Sequence, residues 1–410
     1  MKKTIAIIGG GPSASTLATL LARKGHKVGI FRTPQRPALI VGESLLPAII
    51  PILKELGVEE KVSQFSVFKP GATICLDPHE TLSFGFDLAR TRMVYAYNVP
   101  RDKFDEAILE AAVAAGARLF SRRAEVMLDS DGKPVLTPET LAAAEGFFDG
   151  GVDLLVDASG RARLLPNLLN LPSEEGGRKD LALFSHQEDV DMTDPGNIHV
   201  DRYSKGWGWR IPLPGRVSVG IVVSPRHLKQ LGDTKEEQYD NFLRQEPKLR
   251  DYVKNAQRTT TVMTYTNYQW KSLKLYGNGW ALVGDSAGFI DPIFSTGLYL
   301  AMYSAVQLAK AIDKGTPAAF EAYQRHHREE LRSWQTIIDM WYEGTLFTLF
   351  RVGQKYKTSP LARFLNPFVT KHVTRIFTGE IRSGSFSHKV LQFMTRYGLY
   401  KQDTSALVIN

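Results

Sequence analysis

The sequence predicts an α/β protein: a Rossmann-like nucleotide-binding domain, a second antiparallel β-sheet interleaved with it, and a C-terminal helical segment. Three observations carry this prediction. The apolar run over residues 4–9 enters a glycine-rich loop and then a helical pattern over residues 12–24. A second apolar run, residues 26–31, follows directly and completes the opening of a βαβ unit. Later buried-strand runs at 152–156 and 280–283 end at Asp157-Ala-Ser-Gly160 and Gly284-Asp285.

The remaining elements follow in order. Residues 34–37 form a loop, and a short helix lies around 47–56. Residues 69–98 alternate as antiparallel strands do. Residues 101–117 read as a helix with Phe104, Ile108, Leu109 and Ala112 on one face. Residues 181–223 hold several strand-like runs, and a helix runs from about Gly297 to Ala311. Beyond residue 320 the pattern is helical. One helical stretch there, 334–350, carries Trp334, Ile337, Ile338, Trp341, Leu346, Phe347 and Phe350, as core packing or as the lining or lid of a substrate cavity. The expected domains are discontinuous. Residues 1–68, 99–180 and 270–320 form the nucleotide-binding domain, 69–98 and 181–269 the sheet domain, and 321–410 a basic helical region.

Composition excludes several classes. With 410 residues the chain has material for a large core, and 43% hydrophobic with 23% charged residues is ordinary for a globular protein. The single cysteine, Cys75, permits no intrachain disulfide and fits a reducing cytoplasm. Lys2 and Lys3 precede an apolar run, but Gly9-Gly10-Gly11 interrupts it, so it reads as a strand rather than a secretion signal. No stretch supplies the roughly 20 apolar residues of a membrane span. No metal site is expected.

The net charge of +8 is concentrated in residues 351–410. Arg351, Lys355, Lys357, Arg363, Lys371, Arg375, Arg382, Lys389, Arg396 and Lys401 face only Glu380 and Asp403 there. Such a field is a solvated helical face or a docking surface for an acidic partner, of which an acyl- or peptidyl-carrier protein would be one. No nucleic-acid-binding module accompanies the charge, so nucleic acid is not expected.

The pattern Gly9-x-Gly11-x-x-Ala14 sits between strand and helix. Glycines let the backbone turn and approach a pyrophosphate at the helix N-terminus, and Ala14 permits close helix packing. The second strand ends in Arg32, where such folds usually offer Asp or Glu to a ribose. Arg101 with Asp105, Asp157 with Gly160, and Asp285 follow in the expected order. These segments resemble those of p-hydroxybenzoate-hydroxylase-like flavoproteins. That resemblance implies flavin adenine dinucleotide (FAD) rather than nicotinamide, with Asp285 on the ribityl chain and Arg101 near the flavin.

Residues 207–212 read Trp207-Gly-Trp209-Arg-Ile-Pro, and both indoles fall on one strand face. Residues 289–297 run from Phe289 through Pro292 to Ser295-Thr296-Gly297. Gly42-Glu43-Ser44 precedes Pro47, and Phe68-Lys69 follows. Together these motifs resemble the flavin-dependent halogenases over about residues 3–315. The resemblance implies that FADH2 and O2 generate a flavin hydroperoxide, and that chloride or bromide held by the amides of Thr296 and Gly297 is oxidised to hypohalous acid. It implies that the oxidant reaches Lys69, which activates it as a hydrogen-bond donor or as a haloamine. Trp207 and Trp209 keep the organic substrate from the flavin. Glu43, Ser44, Gly160 and Pro292 belong to the cofactor site. A separate flavin reductase is expected, since no second dinucleotide fingerprint occurs.

Tryptophan halogenases carry a glutamate just before the Ser-Thr-Gly turn, and here that position is Phe294. The resemblance is therefore to enzymes acting on pyrroles or phenols, free or tethered to a carrier protein. A monooxygenase or reductase of the same fold, without halogenation, is the alternative, supported by Arg32 and by the short chain.

Overall fold

The computed structural model describes the chain except residues 36–38, 78–79, 267–268, 356–359, 382–383, 399–403 and 410, and describes backbone alone at 352–355, 360–367, 369, 398 and 406. Its first sheet has six strands in the order Tyr276–Gly277, Trp280–Leu282, Leu154–Asp157, Thr4–Ile8, Lys27–Phe31 and Arg118–Phe120. Every pairing is parallel except the Tyr276–Gly277 edge. Parallel strands are covered on both faces, which is why Ile5, Ala6, Ile7, Leu155 and Val156 form unbroken apolar runs, all buried. The helices Pro12–Arg23, Arg101–Ala114 and Thr296–Lys314 pack together beside this sheet. Arg101–Ala114 stops short of the expected residue 117, because Gly116 takes φ +104° and turns the chain into Arg118–Phe120.

The second sheet is mostly antiparallel and built around Leu181–Glu188, Arg216–Val223, Gly206–Leu213 and Ile198–Tyr203. Gly71–Asp77 and Glu80–Gly85 extend it at one end. One junction departs from the antiparallel expectation: Ile198–Tyr203 pairs with Gly71–Asp77 in parallel. A parallel pair needs a long crossover, and here the intervening chain adds the strands Arg118–Phe120 and Leu154–Asp157 to the first sheet before returning. Val67–Lys69 and Ala96–Asn98 leave the large sheet and form their own small ladder. A three-stranded sheet of Ser173–Glu175, Trp270–Ser272 and Gly288–Phe289 joins the two halves.

The C-terminal region is helical, but its aromatic stretch is not one helix. Pro317–Tyr342 ends at Glu343, Gly344 takes φ +74°, and Thr345–Lys355 begins a new direction. A Cβ on Gly344 would lie 2.7 Å from the Thr404 carbonyl oxygen, so the break lets residues near 404–409 pack underneath. The tail is tied there. Ile409 N–H donates to the Tyr342 carbonyl at 2.9 Å, and Arg202 donates to the Leu407 carbonyl at 2.9 Å. Trp334, Ile337, Ile338, Trp341, Leu346, Phe347 and Phe350 are all buried in the main core, so that stretch is core packing. Among the described residues no helix is long and apolar enough to cross a membrane.

Candidate active site

A cavity of about 800 Å³ opens where the parallel strands end. The glycine loop forms one wall. Gly9 has φ +117°, and a Cβ there would sit 2.1 Å from the Ala158 carbonyl oxygen, so the close strand-to-strand approach demands glycine. A Cβ on Gly11 would meet nothing within 4 Å. Gly11 N-caps Pro12–Arg23 in an extended conformation with no side-chain cap, and Pro12 occupies the first turn. The first-turn amides are therefore open to an anion. Ala14 lies behind this loop, fully buried in the helix packing.

Four arginines line the cavity: Arg32, Arg101, Arg123 and Arg161. Arg32 is held by Glu106 of the helix Arg101–Ala114 at 2.8 Å, and Glu106 does not itself line the cavity. Arg101 grips Asp105 at 3.0 and 3.3 Å and also reaches the Val41 carbonyl, fixing the loop that carries Glu43. The Arg161 guanidinium stacks 3.9 Å from the Tyr265 ring centre. Asp285 lines the cavity, and burial pushes its carboxyl up to about 6 against the pull of Arg161 and Arg101. Gly160, Ser44 and Pro292 also lie on the wall.

Asp157 differs from expectation. It is fully buried behind the wall, where its two oxygens accept from the Ser159 and Leu165 amides at 2.8 and 2.7 Å. It shapes the turn that brings Ala158–Ala162 to the cavity and does not itself face it.

Glu43 was foreseen, but its partners were not. Glu43 lines the cavity and meets His186 Nε2 at 2.7 Å, and Arg216 donates to His186 Nδ1 at 3.0 Å. The arginine makes Nδ1 the acceptor, so Nε2–H donates to the carboxylate. These three residues come from a loop and two neighbouring sheet strands, a juxtaposition that no local motif announces.

The indoles share one face, as the two-residue strand period requires. Both line the cavity, with ring centres 5.8 Å apart. Trp209 donates to Ser218 Oγ at 3.2 Å and lies over Gly220, where a Cβ would collide at 2.1 Å. Trp207 donates to the Tyr342 hydroxyl at 2.9 Å, and that hydroxyl donates to Asp291 at 3.1 Å. Asp291 in turn accepts from the Ile293 amide at 3.0 Å. One indole is thereby fastened to the loop that precedes Ser295-Thr296-Gly297.

That loop ends in a strained residue. Ser295 takes φ +57° as the N-cap of Thr296–Lys314 and offers no side-chain cap. Ser295, Gly297 and Leu298 line the cavity, whereas the Thr296 side chain points inward and is buried. A helix N-terminus without a side-chain cap facing the cavity suits an anion. Phe294 faces the other way. Its ring packs 5.5 Å from Trp341, 5.6 Å from Phe377 and 6.4 Å from Trp334.

Lys69 lies outside the cavity wall and is 2% exposed. Its Nζ donates to the Leu45 carbonyl at 2.9 Å and sits 5.3 Å from the Phe86 ring centre. Among the described residues no carboxylate pairs with it. Burial alone lowers its pKa to about 7. Of the basic tail, Lys357, Arg382 and Lys401 lie outside the described residues, as do the side chains of Lys355 and Arg363. Arg351 is paired with Glu80 at 2.6 Å, while Lys389 and Arg396 are exposed.

The cavity fits FAD on these observations: open space at Gly11, an uncapped helix start and four arginines for an anionic ligand, and a desolvated carboxyl at Asp285. Comparison with known proteins agrees. The tryptophan halogenase family model matches residues 4–72 and 85–348. A tryptophan 2-halogenase of Chondromyces crocatus is 32% identical over 356 residues, 83% of this chain and 67% of the relative. A 1H-pyrrole-2-carbonyl-[peptidyl-carrier protein] chlorinase of Pseudomonas fluorescens is 27% identical over 392 residues, 86% of each chain. Among solved structures, a flavoprotein/dehydrogenase of Cytophaga hutchinsonii aligns with TM-score 0.81 at 25% identity, over 98% of this chain and 100% of that one. The myxobacterial chondrochloren halogenase aligns with TM-score 0.71 at 25% identity, over 100% and 99%. The chain belongs to the flavin-dependent halogenase family of oxidoreductases.

Proposed function

We propose that the chain is an FADH2- and O2-dependent halogenase that acts on an electron-rich aromatic, a pyrrole or a phenol, through Lys69. Bound reduced flavin would supply the two electrons that bring dioxygen to the peroxide level, and oxygen at that level would oxidise halide to hypohalous acid with loss of water. The observation that carries the reading is the state of Lys69. It is buried, its amine has a pKa of about 7, and its nitrogen is bonded to Leu45, the neighbour of a cavity-wall residue. Both an amine and an ammonium are accessible near neutral pH. The first could carry halogen and the second could polarise hypohalous acid.

The chain's other residues take supporting roles. The glycine loop would bind the cofactor phosphates, with Arg101 near the flavin and Asp285 on the sugar chain. The amides of Thr296 and Gly297 would hold chloride or bromide at the helix start. Trp207 and Trp209 would exclude the organic substrate from the flavin. Phe294 supplies an apolar ring where a proton acceptor would be needed for a less activated arene, which supports pyrrole or phenol over free tryptophan.

The relative that chlorinates a carrier-tethered pyrrole and the exposed Lys389 and Arg396 support a tethered substrate delivered by an acidic carrier protein. A separate reductase would supply FADH2. The test is incubation with reduced FAD, oxygen and bromide against phenols and pyrroles, free and carrier-bound. Brominated product supports the reading. Hydroxylated product without bromine would overturn it in favour of a monooxygenase.

A further inference from the structure

Glu43 is a nearly buried carboxylate on the cavity wall, and one of its oxygens is unused. The side chain is 4% exposed and lines the cavity. Oε1 accepts from His186 at 2.7 Å, and among the described residues nothing bonds Oε2. A carboxylate oxygen taken out of water is costly unless it accepts hydrogen bonds. The arrangement leaves Oε2 to a donor carried by a ligand.

Glu43 is held from two sides. The backbone of its segment is strand-like: Val99 N–H donates to the Glu43 carbonyl at 2.7 Å, Leu45 N–H donates to the Tyr97 carbonyl at 2.9 Å, and Ser44 bridges Asn98. The side chain is fixed from the second sheet. His186 and Ser218 are directly opposed on neighbouring antiparallel strands, so they project to one side. Arg216 and Gly220, two residues away along the strand, share that face. Arg216 sets the tautomer of His186, which gives its N–H to Glu43. Ser218 takes the indole N–H of Trp209, and Gly220 leaves room for its ring. One strand thereby sets the place of both Glu43 and Trp209. Glu43 is anchored on the side of the cavity that carries the indoles, whereas the glycine loop belongs to the first sheet.

We infer that Arg216 and His186 are positioning residues for FAD: they hold the Glu43 carboxylate so that its free oxygen accepts a hydrogen bond from the flavin half of the cofactor, from a ring N–H or a ribityl hydroxyl. Neither positioning residue lines the cavity. Arg216 offsets the carboxylate charge from behind, through the imidazole. The inference rests on FAD occupying the cavity and not on halogenation.

Binding to the full chain tests it, with FAD followed by quenching of flavin fluorescence and ADP, which lacks the flavin half, by calorimetry. His186→Leu is expected to weaken FAD about tenfold, the worth of a hydrogen bond to a charged group, and to leave ADP unchanged. An equal loss for both ligands would mean general damage to the cavity and would overturn the inference. His186→Gln, whose amide can still donate, is expected to stay within about threefold of the parent. Arg216→Met is expected to weaken FAD about threefold, and it carries the test if His186→Leu does not fold. Unchanged FAD binding in His186→Leu or Arg216→Met overturns the role of the residue replaced. A double-mutant cycle separates positioning from packing. In a Glu43→Ala background, His186→Leu is expected to change FAD affinity less than about twofold, because no carboxylate is left to hold. The full loss in that background would overturn the inference. A parent that binds ADP but not FAD would overturn it together with the assignment of the cavity. The halogenation assay succeeds or fails independently of these affinities.

Discussion

The flavin cavity and the Lys69 compartment are neighbours built on opposite principles. The cavity is roomy and edged with charge, and its backbone is kept bare by Gly9, Gly11 and Gly297. The lysine compartment is closed, with Phe86 and Leu45 fully buried against an amine that has no carboxylate partner among the described residues. One region is preformed for a large anionic ligand. The other holds a single group in a low-dielectric setting that changes its protonation. On the proposed reading, binding and chemistry would be divided between an open wall and a dry one, with a single strand-like segment between them.

The sharpest way to break this contrast is Lys69→Ala. Product formation should fall by about 10²–10⁴-fold, the range for loss of an acid–base or transfer group. FAD affinity, measured by fluorescence quenching, should stay the same, because Lys69 is not on the cavity wall. Weakened FAD binding in that variant would show the two regions to be one.

The cavity side is tested by a pair of glycine variants. Gly9→Ala forces a Cβ into the Ala158 carbonyl at positive φ, so it should cost about 1–3 kcal/mol in urea unfolding and weaken FAD binding. Gly11→Ala places its methyl in open space, so apo stability should be kept while FAD binding still weakens. Equal stability losses would refute the assignment of that space to the cofactor.

The lysine compartment has its own pH signature. The folded-state pKa of Lys69, about 7, lies below the unfolded value of about 10.5. Between those values the unfolded chain binds the extra proton, so this residue makes stability rise with pH, by at most about 1.4 kcal/mol per unit. Below pH 7 that dependence ends. Lys69→Met should flatten the parent's slope between pH 7 and 9 in urea titrations. Parallel slopes would mean that the amine remains charged.

The smallest expected effect is at the indole wall. Trp209→Phe removes the bond to Ser218 Oγ and should cost about 1 kcal/mol, with more hydroxylated or leaked product. A variant with unchanged product distribution would leave Trp209 as packing alone.

The legible parts of the site were those compressed into short stretches of chain. Gly9 and Gly11 announce a strand–loop–helix turn because the steric demand is local. Trp207 and Trp209 fall on one face because strand period is local too. His186 and Arg216 were invisible, since only sheet register brings them to Glu43. Glu106 was missed because it meets Arg32 from a different element. Asp157 was misplaced because a capping aspartate and a ligand-facing one look alike in sequence. The break at Gly344 did carry a signal, a glycine inside a helical pattern, but the surrounding aromatics outweighed it.

The fastening of Ile409 to Tyr342, and of Tyr342 to Trp207, reaches further than its two hydrogen bonds suggest. On the proposed reading it would make a remote strip of sequence a tuning peg for the aromatic partition. Drift in residues 404–409 could retune which arenes are admitted while every recognisable motif stays untouched, so family members with identical signatures need not share a substrate.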